Sequence, residues 1–155
     1  MSMNFIGTNA VSITVSVLPL FPVGAVDRFA DGSDVWSGGA TETSDMVKTP
    51  DGYTHAWTKN AIIERTLTLA PTSPIAVLLD AAVTAQQSYV GVGPEPFQVT
   101  VVVTHAHTGQ IDTYTDGIIV NGELGMKVTQ DRLGNKQYNF KFGTFLTTGP
   151  IKKSL

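Results

Sequence analysis

Apolar and polar side chains change places at every second residue in four separate stretches of this chain, and that period suits only one kind of backbone. Val11, Ile13, Val15 and Val17 alternate with Ser12, Thr14 and Ser16. Ile63, Arg65, Leu67 and Leu69 alternate with Glu64, Thr66 and Thr68, and Phe97, Val99, Val101 and Val103 with Gln98, Thr100 and Thr104. Tyr138, Phe140 and Phe142 face one way and Gln137, Asn139 and Lys141 the other. A strand sends successive side chains to opposite faces, so each stretch predicts a strand with one buried face.

Between these stretches the period changes once. Ile75, Leu78, Leu79, Ala82, Val83 and Gln86 fall on one face of a helix over residues 73–87. Thr72 or Ser73 is placed to cap it, and Pro74 suits the first helical turn, where its missing N–H costs nothing. The other face carries Val77, Ala81, Thr84 and Ala85 with Asp80 as its one charge, which predicts a helix covered on both sides. Pro19 and Pro22 are expected to end the first strand, and residues 24–40 read as an irregular, turn-rich excursion. Residues 41–48 and 53–58 flank Thr49-Pro50-Asp51-Gly52, where proline presets one turn angle and glycine accepts a positive φ, so they predict a hairpin. Its arms lack a clean apolar face, and a free two-stranded ribbon is marginal in water, so something else should cover it. Two more strands are expected at 118–120 and 124–129, with Asn121-Gly122 as a tight turn or a bulge, and a last one at 137–146. The sum is about seven strands and one helix in one domain over residues 1–155, with an arm of about residues 1–10 and a tail of about residues 147–155.

Charge and cysteine bound the function. The formal net charge of -3 argues against a general binder of nucleic acid, which needs a basic face for phosphates. The charges are segregated along the chain. Residues 27–51 carry six acidic against two basic side chains, or -4, and residues from Lys127 onward carry six basic against one acidic, or +5. Two readings stand: solvated loops of different sign, or head-to-tail steering of identical subunits. With no cysteine, neither disulfides nor thiolate metal sites hold the fold, which fits synthesis inside a cell. No run of 18 apolar residues and no secretory signal pattern is found, so no membrane partner is expected.

The chemistry-bearing residues point away from catalysis. His105-Ala106-His107 has an i, i+2 spacing that a metal could use, but no third ligand is fixed by spacing, although Asp112 and Asp116 lie downstream. Nucleophile elbows, phosphate-cradling glycine loops and the HExxH pattern are missing. The expectation is therefore no enzyme, no metal and no cofactor. Trp36 and Trp57 suit stacking on a sugar or a base, which keeps a glycan- or ligand-binding β-sandwich open, and they suit equally well the buried anchors of a protein interface.

The order of elements, with Phe29-Ala30-Asp31-Gly32, the 45–52 stretch, Ile63-Glu64-Arg65-Thr66-Leu67-Thr68-Leu69 before a helix opening Ser73-Pro74, and the strand over 137–145, resembles the tail tube proteins of contractile-tailed bacteriophages. The resemblance covers roughly residues 11–146. It implies a mainly β fold: an antiparallel β-sandwich or small barrel with one flanking α-helix and a projecting hairpin. It further implies a structural virion protein, found in the tail and assembled in the host bacterial cytoplasm. Six subunits would form a ring, and rings would stack into a hollow tube through which DNA passes on ejection. Its partners would be copies of itself, the tail sheath protein, the tape measure protein and baseplate proteins. Residues 41–58 would then be the inter-ring element, with Met46, Val47, Tyr53, His55 and Trp57 at the interface and Trp36 as a further anchor. Where that family commonly has a Gly-Ala-Asp-Gly-Glu-like stretch, this chain has Lys48-Thr49-Pro50-Asp51-Gly52, so a tube initiator at the baseplate, which shares the fold, is the alternative.

Overall fold

A computed structural model describes residues 11–18, 21–26, 35–87, 96–106 and 108–149. The expected N-terminal arm, the Phe29-Ala30-Asp31-Gly32 motif, His107 and the tail beyond Gly149 lie outside the described residues. The strands are β1 (Val11–Leu18), β2 (Phe21–Val26), β3 (Trp36–Ser37), β4 (Ser44–Lys48), β5 (Thr54–Thr58), β6 (Ile63–Leu69), β7 (Gln98–His105), β8 (Ile111–Gly122) and β9 (Lys136–Thr148), and the helix α1 spans Pro74–Gln87 between β6 and β7. Seven strands form one sheet in the order β2-β1-β7-β8-β9-β6-β3, antiparallel at every pairing, while β4 and β5 pair separately. The sheet curls into a half-barrel with β2 and β3 as its edges, so of the two expected architectures the barrel-like one is found.

The alternation that predicts the strands also makes the core. Ile13, Val15, Val17, Leu67, Leu69, Val99, Val101, Tyr138, Phe140 and Phe142 are all buried, and register joins them across the sheet: Val15 lies opposite Val101, and Leu67 opposite Tyr138. Each such side chain contributes about 1.5–3 kcal/mol by leaving water. Packing is close enough that Gly117 has no room for a side chain. A Cβ there would stand 2.3 Å from the Phe142 ring and 2.9 Å from the Val99 carbonyl oxygen. Helix α1 covers this face with Ile75, Ala76, Leu79 and Ala82.

Several boundaries depart from expectation. The segment after β1 is not irregular throughout: β2 includes Pro22, which an edge strand tolerates because one side of it has no neighbour among the described residues to receive an N–H. β8 starts at Ile111 and runs unbroken to Gly122, so Asn121-Gly122 is no turn: both residues pair with β9, and the register shift between Ile119 and Asn121 puts a bulge one residue earlier, at Val120. The interspersed acids hid its first half, and the fold satisfies them with hydroxyls: Thr147 donates to Asp112 at 2.7 Å and Thr144 to Asp116 at 3.0 Å. Residues 124–129 form a loop, not a strand, with one isolated bridge between Val128 and Leu133. Leu78 is turned outward and Ala76 inward, so the helix face that packs is rotated from the expected one. Val77 and Leu78 stay exposed and the predicted double covering is absent from the described fold. Ser73 holds the position before the helix, yet its buried hydroxyl has no hydrogen-bond partner among the described residues.

One polar clasp pins α1 to the sheet. Asp80 accepts hydrogen bonds from the Lys136 ammonium on one oxygen and from the Tyr138 hydroxyl on the other, at 2.6 Å, and that hydroxyl also lies 3.1 Å from the Ala76 carbonyl. Burial above all, then the bond to Asp80, pushes the Tyr138 phenol up from its ordinary 10.0, so it stays protonated and donating. Lys136 is only 6% exposed, and a buried ammonium without its carboxylate is costly. Asp80→Asn is expected to destabilise the fold by about 3 kcal/mol, because it strands that charge. Thermal unfolding should show a midpoint lowered by roughly 6–12 °C. Adding Lys136→Met should recover most of the loss, and a double variant no more stable than the single one would contradict the clasp.

Candidate assembly surfaces

The hairpin is built by its turn. Gly52 donates its N–H to the Thr49 carbonyl at 2.9 Å, Thr49 N–H returns to the Tyr53 carbonyl at 2.9 Å, and Gly52 takes a φ of 94°, which a glycine adopts without steric cost. The Thr49 hydroxyl bonds to the Asp51 carboxylate and to the Tyr53 carbonyl. At the open end Lys59 bridges Glu42 at 2.9 Å and Asp45 at 3.3 Å, which raises its pKa through Glu42 first and then Asp45. Every residue of β4 and β5 is exposed, and the ribbon packs substantially on no other element of the described fold.

Register sorts the predicted interface residues. Asp45 lies opposite Trp57 and Val47 opposite His55, so these four share one face; Met46 lies opposite Ala56 on the other face, and Tyr53 belongs to the turn. Met46 is 64% exposed, Tyr53 67% and Trp57 47%, so the ribbon offers apolar side chains to both sides with nothing of its own to cover them. Trp36 is not brought to this group. It pairs into the main sheet opposite Leu67, and its ring packs on Tyr114 at 5.3 Å, Phe140 at 5.9 Å and Phe142 at 6.1 Å. The Arg65 guanidinium stacks over Tyr114 at 5.6 Å and reaches the Gly39 carbonyl, tying the segment after Trp36 to β6.

A second incomplete surface went unread in the sequence. β6 ends its pairing with β9 at Ile63 opposite Phe142, but β9 continues to Thr148, bonded to β8 alone. Residues 143–148 are all exposed, including Phe145 and Leu146, and among the described residues no strand bonds their other edge. The signal was the apolar pair Phe145-Leu146, one residue for each face of the strand, where a half-buried strand would show one apolar face. Of the histidine pair, His105 alone is described: its Nδ1 accepts the Thr108 N–H at 3.2 Å in the β7–β8 turn, and no cluster of three metal-ligating side chains occurs among the described residues. None of their helices is long and apolar enough to cross a membrane.

The hairpin turn carries its own titration. The Thr49 hydroxyl, the largest influence, holds the Asp51 carboxyl below its ordinary 3.8. A carboxyl lowered in the folded state stabilises the turn above that ordinary value and loses the effect as pH falls through the lowered one. Thr49→Val is therefore expected to move the Asp51 midpoint up toward 3.8. An NMR titration unchanged by that substitution would remove the hydroxyl from its role.

Comparison with known proteins places the chain in a family. No curated protein sequence matches the chain. In fold it is similar to a chain of the anti-feeding prophage (AFP) baseplate, 6-fold symmetrised, at a TM-score of 0.64 and 9% identity over 99% of this chain and 100% of that one. It is also similar to a chain of the anti-feeding prophage cap, the AFP tube terminating cap, at 0.57 and 11% over 96% and 94%. A third likeness is to the sheath/tube terminator of an extracellular contractile injection system, PVC, in the extended state, at 0.56 and 8% over 96% and 100%. At these identities what is shared is the fold. The sequence itself matches the model of a family described as "Tail fiber protein gp32" over residues 4–146, nearly the whole chain, and on that match the protein belongs to the tail fiber protein gp32 family.

Proposed function

We propose that this chain is a structural subunit of a contractile phage tail, one that assembles with copies of itself into rings around the tail channel and stacks them into a tube. The observation that carries the reading is a pair of surfaces left unfinished among the described residues of one copy: the ribbon exposed on both faces and the β9 edge without a neighbour over residues 143–148. An unpaired strand edge recruits another strand, and an apolar ribbon recruits a cover. Side-by-side contacts that close would give the ring, six-fold as in the symmetrised baseplate of the fold relative, and contacts that do not close would give the stack. The role is architectural, not catalytic. Copies of the chain are the first partners, with the sheath, tape measure and baseplate proteins around them. DNA passes through the lumen without being recognised. The protein then resides in the virion tail, after assembly in the host cytoplasm.

A second reading has its own support. The three fold relatives come from a cap, a baseplate and a sheath/tube terminator, which are parts of an assembly's ends. An end piece needs the same lateral contacts but stacks on copies of itself on neither side. Growth separates the two: a tube subunit lengthens with concentration, and an end piece stops at one ring.

Negative-stain microscopy across a concentration series tests both readings. Rings that lengthen into tubes are expected, single rings at every concentration would favour the end piece, and a monomer at the highest concentration would refute assembly. Trp57→Ala is expected to leave the monomer folded, with an unchanged circular dichroism melt, and to stop growth at rings. Tubes of normal length from that variant would take the ribbon out of the stacking contact.

A further inference from the structure

A cavity of about 170 Å³ opens between the outer side of α1 and the loop 123–135. Its walls are Pro71, Val77, Met126 and Leu133, and the Asp80–Lys136 pair lines it as well. The volume is close to that of an engineered apolar cavity, roughly 150 Å³, that takes up benzene. It has the size of one ring.

The polar groups narrow the choice of ring. An ammonium has three N–H donors. Lys136 gives one to Asp80, its one hydrogen-bond acceptor among the described residues, although it is only 6% exposed. Donors remain on a nearly buried ammonium that also stands 5.7 Å over the Tyr138 ring, and its residue lines the cavity. Asp80, for its part, holds Lys136 and the Tyr138 hydroxyl and keeps lone pairs to spare. An entering carboxylate would meet Asp80, and an entering ammonium would meet Lys136. A phenol meets both correctly: its ring fills the apolar walls, its oxygen accepts from Lys136, and its hydroxyl hydrogen goes to Asp80.

The chain carries such a phenol on the surface that lacks a cover. Tyr53 stands in the hairpin turn and is 67% exposed, whereas Tyr114 and Tyr138, the other tyrosines among the described residues, are buried. Charge does not oppose the approach: residues 41–59 hold Lys48 and Lys59 against Glu42, Asp45 and Asp51, or 2 minus 3, and residues 123–136 together with Asp80 hold Lys127, Arg132 and Lys136 against Glu123, Asp131 and Asp80, or 3 minus 3. The geometry points to the cavity beside α1 as the socket for Tyr53 of a second copy. This rests on the self-assembly reading and gives the ribbon its receiving surface. Knob and socket are different surfaces of one chain, so the contact leaves a free knob and a free socket at the two ends of every stack.

Because the chain has no cysteine, single thiols report the contact cleanly. Full-length Thr54→Cys, beside the knob, is mixed with full-length Val77→Cys, on the socket rim, under mild oxidation, and read on a non-reducing gel. A covalent pair is expected, and a mixture of Thr54→Cys with Ser12→Cys on the far face of the sheet should give none. In the Thr54→Cys chain, Tyr53→Phe should lower the yield roughly fivefold through the lost hydrogen bond. Tyr53→Ala should abolish it. Microscopy of the same mixture separates the two claims. Assembled particles without the Thr54–Val77 crosslink, or a crosslink indifferent to Tyr53→Ala, overturn the socket alone. Monomers throughout overturn the self-assembly reading and the socket with it.

Discussion

A sheet with one apolar face must be covered, and here the one helix among the described residues, fourteen residues long, supplies the cover. Everything else in the molecule follows from that thin second layer. Ile75, Ala76, Leu79 and Ala82 join the buried side chains of the sheet in one core, with the helix lying against β8 and β2, and the Asp80 clasp on Lys136 and Tyr138 fixes where the helix lies. A buried ion pair adds little net stability over an apolar pair of the same shape, but it tolerates only one arrangement of its partners. Removing half of it is costly, so the clasp fixes placement more than it strengthens packing.

One helix cannot cover a seven-stranded sheet from end to end. Beyond its reach the inner face is closed by aromatic rings, with Trp36 and Tyr114 packed on Phe140 and Phe142 and Arg65 laid over Tyr114. Past those rings β9 runs on beyond the end of β6, still paired with β8, and no strand among the described residues bonds its other edge. The exposed edge at residues 143–148 is therefore a result of the same economy of cover that shapes the core.

The ribbon is a different case. Its turn is well made, with a proline, a carboxylate bonded to Thr49 and a glycine at positive φ, and Lys59 secures its open end. Local chemistry thus holds the shape of the hairpin, while no substantial packing on another element of the described fold holds its position. A pre-shaped ribbon loses little conformational entropy when it docks, which favours association. The incomplete surfaces, the fold shared with parts of contractile injection systems and the family of tail proteins all agree with a molecule whose full structure includes its neighbours.

What the sequence determined by itself were the features set by near neighbours along the chain. A two-residue period is enough to place β1, β6, β7 and the first half of β9 with the correct residues inward, and Pro74 with the 3.6-residue period is enough to place α1. The hairpin turn was legible for the same reason, and so was the ribbon's lack of a buried face. Tertiary structure decided whatever depends on residues distant in sequence. Asp112 and Asp116 sit in a strand because Thr147 and Thr144 across the sheet satisfy them, and Trp36 joined the core because Tyr114 and Phe142 arrive beside it. The rotation of α1 and the open edge of β9 likewise follow from where Lys136 and the end of β6 come to lie. Periodicity records which face of an element is apolar, and only packing decides what that face meets.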